Sequence, residues 1–290
     1  MDKSAPSTRT VSSTQTASLA KPLPSVQSVS NIQRDFILNH QKRKRMVIYI
    51  RVLILIVFFA LWEFSARAGI LDAFIFSSPT RILSCMLQMT SDGSLFYHTG
   101  ITIAETIISF LLVTGIGLLV AILLWTKQSL SEILEPYLVV LNSLPKTALA
   151  PVLIVWLGNN IKTIIVAAVS VAVFGTILTI YTGFQSVDPE KIKLIYTFQG
   201  TRKDVLLKVI LPSTVPLIIS TMKVNIGLSL VGVIIGEFLA ANAGLGYLII
   251  YGSQVFKLDW VLMSILILCV LAGILYLITG RLEKRYGKLK

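Results

Sequence analysis

The sequence predicts an all-α, polytopic membrane protein with six spanning helices. Three observations lead there. Apolar residues fill 54% of the 290 positions. Charged residues fill only 14%, against roughly a quarter in an average soluble domain. The apolar residues also gather in runs of roughly twenty, the length a helix needs to cross about 30 Å of hydrocarbon.

Residues 1–40 form the first region. Its first thirty positions hold twelve Ser/Thr, with Pro6, Pro22 and Pro24 and almost no large apolar side chain. Such a segment buries too little surface to offset its ordering entropy, so it is expected to be a disordered tail. No apolar core follows a short basic start, so it does not read as a signal peptide. Residues 41–290 form the membrane domain. Lys42-Arg43-Lys44-Arg45 precede the first span, about 47–66. Further spans are expected near 100–125, 137–157, 161–183, 213–238 and 260–279.

The net charge of +12 raises the question of a nucleic-acid partner, and its distribution answers it. With the N-terminus in the cytoplasm, the loops near 126–136 and 184–212 and the C-terminal tail are also inside. Twenty of the 26 Lys/Arg then lie on that side, counting Arg51 at the inner end of the first span, with four outside (Arg67, Arg81, Lys162, Lys257) and two deeper within spans (Lys146, Lys223). This is the positive-inside pattern, and six spans return both termini to the cytoplasm. The charge serves topology and contact with anionic lipid; no nucleic-acid partner is expected. The one long outer loop, 67–99, contains a short helix with Ser78 as cap, Pro79 at its first position and Gly93 near its end.

Catalytic signals do not appear. The chain has no G-x-x-x-x-G-K-[ST] loop and no G-x-S-x-G elbow. His40 and His98 lack ligand-spaced neighbours, and Cys85 and Cys269 form no disulfide or metal pattern. The chain is therefore expected to be no enzyme and to bind no metal or cofactor of its own.

Polar residues at membrane depth are the better candidates, because each is costly there. Arg51 and Glu63 lie near the ends of the first span, and Glu105 near the outer end of the second, where snorkelling or a structural pair accounts for them. Asn142 and Lys146 sit four apart in "NSLPKTALAP", where Pro145 and Pro151 break the helix. Lys223 and Asn225 lie well inside the fifth span. These four are candidates to line a polar path, and interhelical hydrogen bonding is the alternative. No carboxylate cluster is visible within the membrane, which argues against ion-coupled transport. Gly232 and Gly236, and Gly115 and Gly117, predict close helix contacts.

The cytoplasmic loop 184–212 is the most structured break in the apolar pattern. Asp188-Pro189-Glu190 is a helix start, and Ile192, Ile195, Tyr196 and then Val205, Leu206, Val209 recur at helical spacing. The loop therefore reads as two amphipathic helices hinged at Gln199-Gly200, with Pro212 closing the second. Lys193, Arg202 and Asp204 supply its charge. Such a loop suits either lying on the membrane surface or docking into a groove on a cytoplasmic partner.

Helix–Gly–helix followed by "ILP" resembles the signature loop of permease subunits of ATP-binding cassette (ABC) importers, E-A-A-x(3)-G-x(9)-I-x-L-P. Counted back from Leu211-Pro212, Val209 takes the Ile position and Gln199 the glycine position. Gly200 falls one residue late, and Lys193-Leu194-Ile195 stand at E-A-A. "LEPYLVVLNSLPKTALAPVLIVWLG" is similar to the third-span motif of the nitrate/sulfonate/taurine/bicarbonate class, at Pro136, Pro145, Lys146, Ala148, Pro151, Trp156 and Gly158. "GEFLAANAGLGYLI" resembles the turn of that class at Glu237, Gly244, Leu245 and Gly246. The likeness covers about residues 48–285. It implies a type I importer architecture with a second permease copy, two ATPase subunits gripping the coupling loops, and an external substrate-binding protein. ATP would be bound by the partner subunit. It also implies residence in the cytoplasmic membrane. The implied cargo is a small anion of that class or a small vitamin precursor. An ATPase-independent transporter or channel is the alternative.

Overall fold

A computed structural model describes residues 26–286, all of its regular structure helical. The segment through Leu61 forms one unit and the chain from Trp62 onward another. The first unit is helical from Val26, as the beginning of α1 (Val26–Arg67). Residues 26–40 are therefore not the disordered tail expected of them. Val29, Ile32 and Phe36 supply a helical spacing that the Ser-rich composition masked. Residues 1–25 lie outside the described residues.

In the second unit, α2 (Ala73–Phe76) and α3 (Pro79–Ser91) form the outer loop. The Ser78 hydroxyl caps α3, accepting the Arg81 N–H, and Pro79 takes the first turn as expected. Two long helices follow around a short bent pair: α4 (Ser94–Thr126), α5 (Gln128–Ser143), α6 (Lys146–Leu157) and α7 (Ile161–Gln185). The cytoplasmic loop contributes α8 (Pro189–Thr197) and α9 (Arg202–Val205). A π turn over Leu206–Ile210 leads into α10 (Leu211–Ala240). Helices α11 (Leu245–Gln254) and α12 (Leu258–Tyr286) complete the chain.

Five helices are long and apolar enough to span a membrane, and the pair α5–α6 supplies a sixth crossing if counted as one span. That third span is bent by 89°. Pro145 removes an N–H and holds Leu144 in an extended conformation, so α5 stops at Ser143.

Pro212 does not close a loop helix. Helix runs continuously over Arg202–Ala240. The π turn widens the ladder so that the Leu211 N–H reaches Leu206 O. Pro212 then falls at the start of the resumed α-helix, where its missing N–H is tolerated.

Helices α7 and α10 form the centre. A Cβ on Gly232 would lie 2.6 Å from Ala168 Cα, and one on Gly236 2.9 Å from Ile164 Cα. The expected small-residue contact is thus between α10 and α7, with backbones close enough to exclude any side chain. Gly117 meets the Thr176 side chain, whereas no atom lies within 4 Å of where a Gly115 Cβ would be, so the expected contact is not made there within this chain.

Candidate functional site

The cytoplasmic loop is built as a rigid piece. The Asp188 carboxylate accepts the Glu190 N–H at 2.9 Å and starts α8. The end of α8 is a Schellman turn: Gly200 N–H bonds Ile195 O and Gln199 N–H bonds Tyr196 O, both at 2.9 Å. Gln199 has φ 58°, the left-handed conformation that glycine usually supplies. Gly200 is needed for a different reason, since a Cβ there would lie 2.5 Å from Ile195 Cγ2 and 2.8 Å from Ile195 O. The displaced glycine is thereby explained. The left-handed residue is at the motif position, as Gln199, and the glycine that follows makes room for Ile195.

Thr201 and Asp204 form a reciprocal capping box on α9, and Lys208 pairs with Asp204 at 2.9 Å. Arg202 donates to Trp125 O at 2.7 Å and lies over the Trp125 ring, tying the loop to the end of α4. Ile192, Ile195 and Val209 pack on a core that holds Leu124, Phe184, Val205 and Ile210. Tyr196, expected on that face, is 48% exposed. Leu194 and Phe198, at 55% and 76%, share the outward surface with it, beside exposed Lys193. Sequence reasoning took only the inward stripe. The i, i+4 pair Leu194/Phe198 was the overlooked signal, because a helix apolar on both faces needs two partners.

At the broken third span, Asn142 O has lost its helical partner, and the Lys146 ammonium takes its place as donor. Pro145 caps α6, Ala148 N–H bonds Pro145 O at 3.0 Å, and Pro151 lies within the helix. Trp156 is exposed, and Gly158 ends α6 at φ 81°. The Asn142 side chain reaches α7, where Gly175 leaves room for it: a Cβ there would be 3.2 Å from Asn142 Oδ1. Asn225 is buried and its Oδ1 accepts from Thr176 at 3.0 Å. Lys223, about 200° away around the same helix, instead meets Glu283 of α12 at 2.9 Å and lies over the Tyr276 ring. Of the four path candidates, the fold brings Asn142 and Asn225 to one turn of α7. Lys146 and Lys223 are held by other partners.

Glu237 anchors the third cluster. Its Oε1 accepts from Thr102 at 2.7 Å and its Oε2 from Gly246 N–H. Thr102 also accepts Leu245 N–H at 2.9 Å, and His98 Nδ1 accepts Gly244 N–H at 3.0 Å. The N–H groups of Gly244, Leu245 and Gly246 at the start of α11 are thus each capped by a side chain from α4 or α10. A Cβ on Gly244 or Gly246 would lie 2.4 Å or 2.8 Å from Glu237 carboxyl atoms, which gives the Glu…Gly-Leu-Gly pattern its physical reason. Glu105 does not snorkel but is 2% exposed. The two glutamates form a buried carboxyl pair absent from the sequence reading, which expected no such cluster. Glu237 has a structural use as a helix cap, whereas Glu105 Oε2 is buried without a hydrogen-bond partner, so the expected absence of a carboxylate cluster no longer argues against ion-coupled transport.

Comparison with known proteins accounts for this set of features. Residues 113–288 match the family model described as "Binding-protein-dependent transport system inner membrane component". The chain belongs to that family. A probable ABC transporter permease protein of Haemophilus influenzae is 30% identical over 78% of this chain and 91% of its own length. The formylaminopyrimidine transport permease ThiX of Halalkalibacterium halodurans is 29% identical over 64% and 74%. The putative aliphatic sulfonates transport permease SsuC of Bacillus subtilis is 26% identical over 80% and 84%. Among solved structures, a bacterial ABC transporter involved in alginate import gives a TM-score of 0.60 at 13% identity, covering 86% of this chain and 98% of its own. At that identity the likeness is one of fold. The permease is therefore a multi-pass ABC importer subunit of type I architecture, with relatives in the sulfonate, taurine and nitrate class. The three clusters of the permease all fall in or beside the matched region. His98, Thr102 and Glu105 precede it, and sequence reasoning missed their joint role because one-dimensional spacing does not connect α4 to α11.

Proposed function

We propose that this permease forms the membrane pathway of an ATP-driven importer, with its cytoplasmic loop gripped by a separate ATPase. The observation that carries the reading is the loop itself. It is anchored on its inner face by Ile192, Ile195 and Arg202, yet presents Leu194, Tyr196 and Phe198 outward. An anchored helix with an unpartnered apolar face suits a groove in a cytoplasmic subunit. Rigidity matters because a compliant loop would absorb the ATPase's motion. A second permease copy completes the pathway, two ATPases lie below it, and an external binding protein delivers the solute. Both termini are cytoplasmic. The ATPases bind and hydrolyse ATP, so this chain carries no catalytic residue. The test is co-purification of the full chain with the ATPase of its own cell. Leu194→Asp and Phe198→Asp are expected to lose the ATPase while the chain still folds. Equal recovery of ATPase with both variants would refute the docking face.

A further inference from the structure

Two acids near the outer ends of α4 and α10 are buried without a base. Glu105 is 2% exposed and Glu237 1%. Thr102, which donates to Glu237 at 2.7 Å, lies one turn from Glu105 on the same face of α4, so the two carboxyls meet where α4 packs on α10. Among the described residues no ion pair reaches either of them. Two carboxylates side by side, away from water and without a cation, repel each other, and such pairs hold a proton instead. The donors divide the roles. Glu237 accepts from the Thr102 hydroxyl and from Gly246 N–H at the N-terminus of α11, where the helix dipole favours an anion. Glu105 Oε2 is buried with no donor at all. One turn further along the same face, the Ser109 hydroxyl is also fully buried without a partner, although Thr102, Thr106 and Thr176 each donate to the carbonyl one turn back. A site with unmatched oxygens and too few donors is completed by adding a proton.

We propose that Glu105 and Glu237 form a proton-binding site that latches the start of α11, with the proton on Glu105 and the charge on Glu237. While the proton is bound, Glu237 has a neutral neighbour and keeps its hold on Thr102 and Gly246. Release breaks the Glu105 O–H bond, passes the proton to outer water and leaves two carboxylates in contact. Their repulsion is relieved when Glu237 withdraws from the α11 N-terminus, so the latch loosens as pH rises. The latched state binds one proton more than the loosened one, and its opening constant therefore rises by up to tenfold per pH unit. Other titratable groups on the packed elements do not give this response. His98 of α4 accepts Gly244 N–H through Nδ1, and protonating it would break that bond, loosening the same turn as pH falls. Tyr247 and Tyr251 of α11 stack in series on His98 and ionise only near about pH 10. Asp92, after α3, accepts from Ser94, and Arg81 of α3 pairs with Asp259 of α12. Lys162 of α7 is exposed, and Glu132 and Glu135 of α5 follow the opposite end of α4. Lys146 of α6 donates to Asn142 O, and Lys223 and Glu283 pair with each other.

The test uses the full chain in lipid nanodiscs, followed by infrared spectroscopy and by hydrogen exchange from about pH 5 to about pH 9. At neutral pH the parent is expected to show the carbonyl stretch of a protonated carboxyl, and Glu105→Gln to lack it. After correction for intrinsic exchange, the parent's exchange over residues 244–251 is expected to quicken with pH by up to tenfold per unit. Glu105→Gln, whose amide cannot ionise, is expected to stay flat. Thermal unfolding checks that the variant is folded, and the parent's band and pH slope stand without it. The proposal is overturned if the parent shows no such band, or if the folded variant keeps the band or the slope. It is equally overturned if the parent's corrected exchange is flat or quickens toward acid, the sign that belongs to His98. Neither measurement involves an ATPase, so the outcome is independent of the importer reading.

Discussion

The loop register makes the sharpest prediction. Gln199 holds a left-handed backbone at φ 58°, which costs an L-residue about 1–2 kcal/mol. Gln199→Gly removes that strain but adds freedom to the unfolded chain, roughly 0.5–1 kcal/mol. The net gain of about 0.5–1 kcal/mol should slow local amide exchange roughly two- to fivefold. Gly200→Ala acts in the opposite direction. Its Cβ would meet Ile195 Cγ2 at 2.5 Å and Ile195 O at 2.8 Å. Ile195 is packed into the core and its carbonyl accepts the Gly200 N–H, so neither atom can yield without breaking another contact. Overpacking of this kind costs about 1–3 kcal/mol. Hydrogen exchange over residues 194–206 of the purified full chain measures both. Faster exchange in Gln199→Gly would show that residue 199 gains nothing from a left-handed backbone and refute the assignment.

Three further outcomes follow from the same contacts. Glu237→Gln puts an amide NH2 in place of one carboxylate oxygen, so either the Thr102 hydroxyl or the Gly246 N–H loses its acceptor, and should lower stability by about 1–3 kcal/mol in thermal unfolding. Glu105→Gln alters a carboxyl whose Oε2 makes no hydrogen bond and should change it by less than about 1 kcal/mol. Gly232→Val cannot be accommodated 2.6 Å from Ala168 Cα and should abolish recovery of folded protein, seen as aggregation in size-exclusion chromatography.

Local chemistry was readable from the sequence; contacts between distant segments were not. Asp188 and Ser78 were legible as caps because a cap acts within three residues of itself. The close pair Gly232/Gly236 was legible because helical spacing alone puts both on one face. Pro212 misled because proline was taken as a terminator, while the π turn that accommodates it has no simple residue signature. Tyr196 misled because a helix of nine residues covers all directions, so spacing left its inward face ambiguous. The Glu105–Glu237 pair joins positions 132 apart in sequence, and only the packing of α4 against α10 could reveal it. Lys146 and Lys223 drew attention as charges in a membrane, yet Lys146 bonds the carbonyl of Asn142, and Lys223 is paired with Glu283, whose nearness depends on the fold.

The unexpected continuity of Arg202–Ala240 has the widest mechanical consequence. One helical rod of 39 residues, roughly 58 Å at 1.5 Å per residue, carries three features in order. At one end is the capping box of the coupling loop, in the middle is Asn225 bonded to Thr176 of α7, and at the far end is Glu237 holding the start of α11. Had Pro212 ended a separate loop helix, a push on the loop would have been lost at the joint. With the rod unbroken, axial movement of α9 would displace Asn225 relative to α7 and pull on the Gly244–Tyr247 turn together. The ladder is widened at the π turn over Leu206–Ile210 and loses a bond at Pro216, so the rod would yield most readily over that stretch near its α9 end.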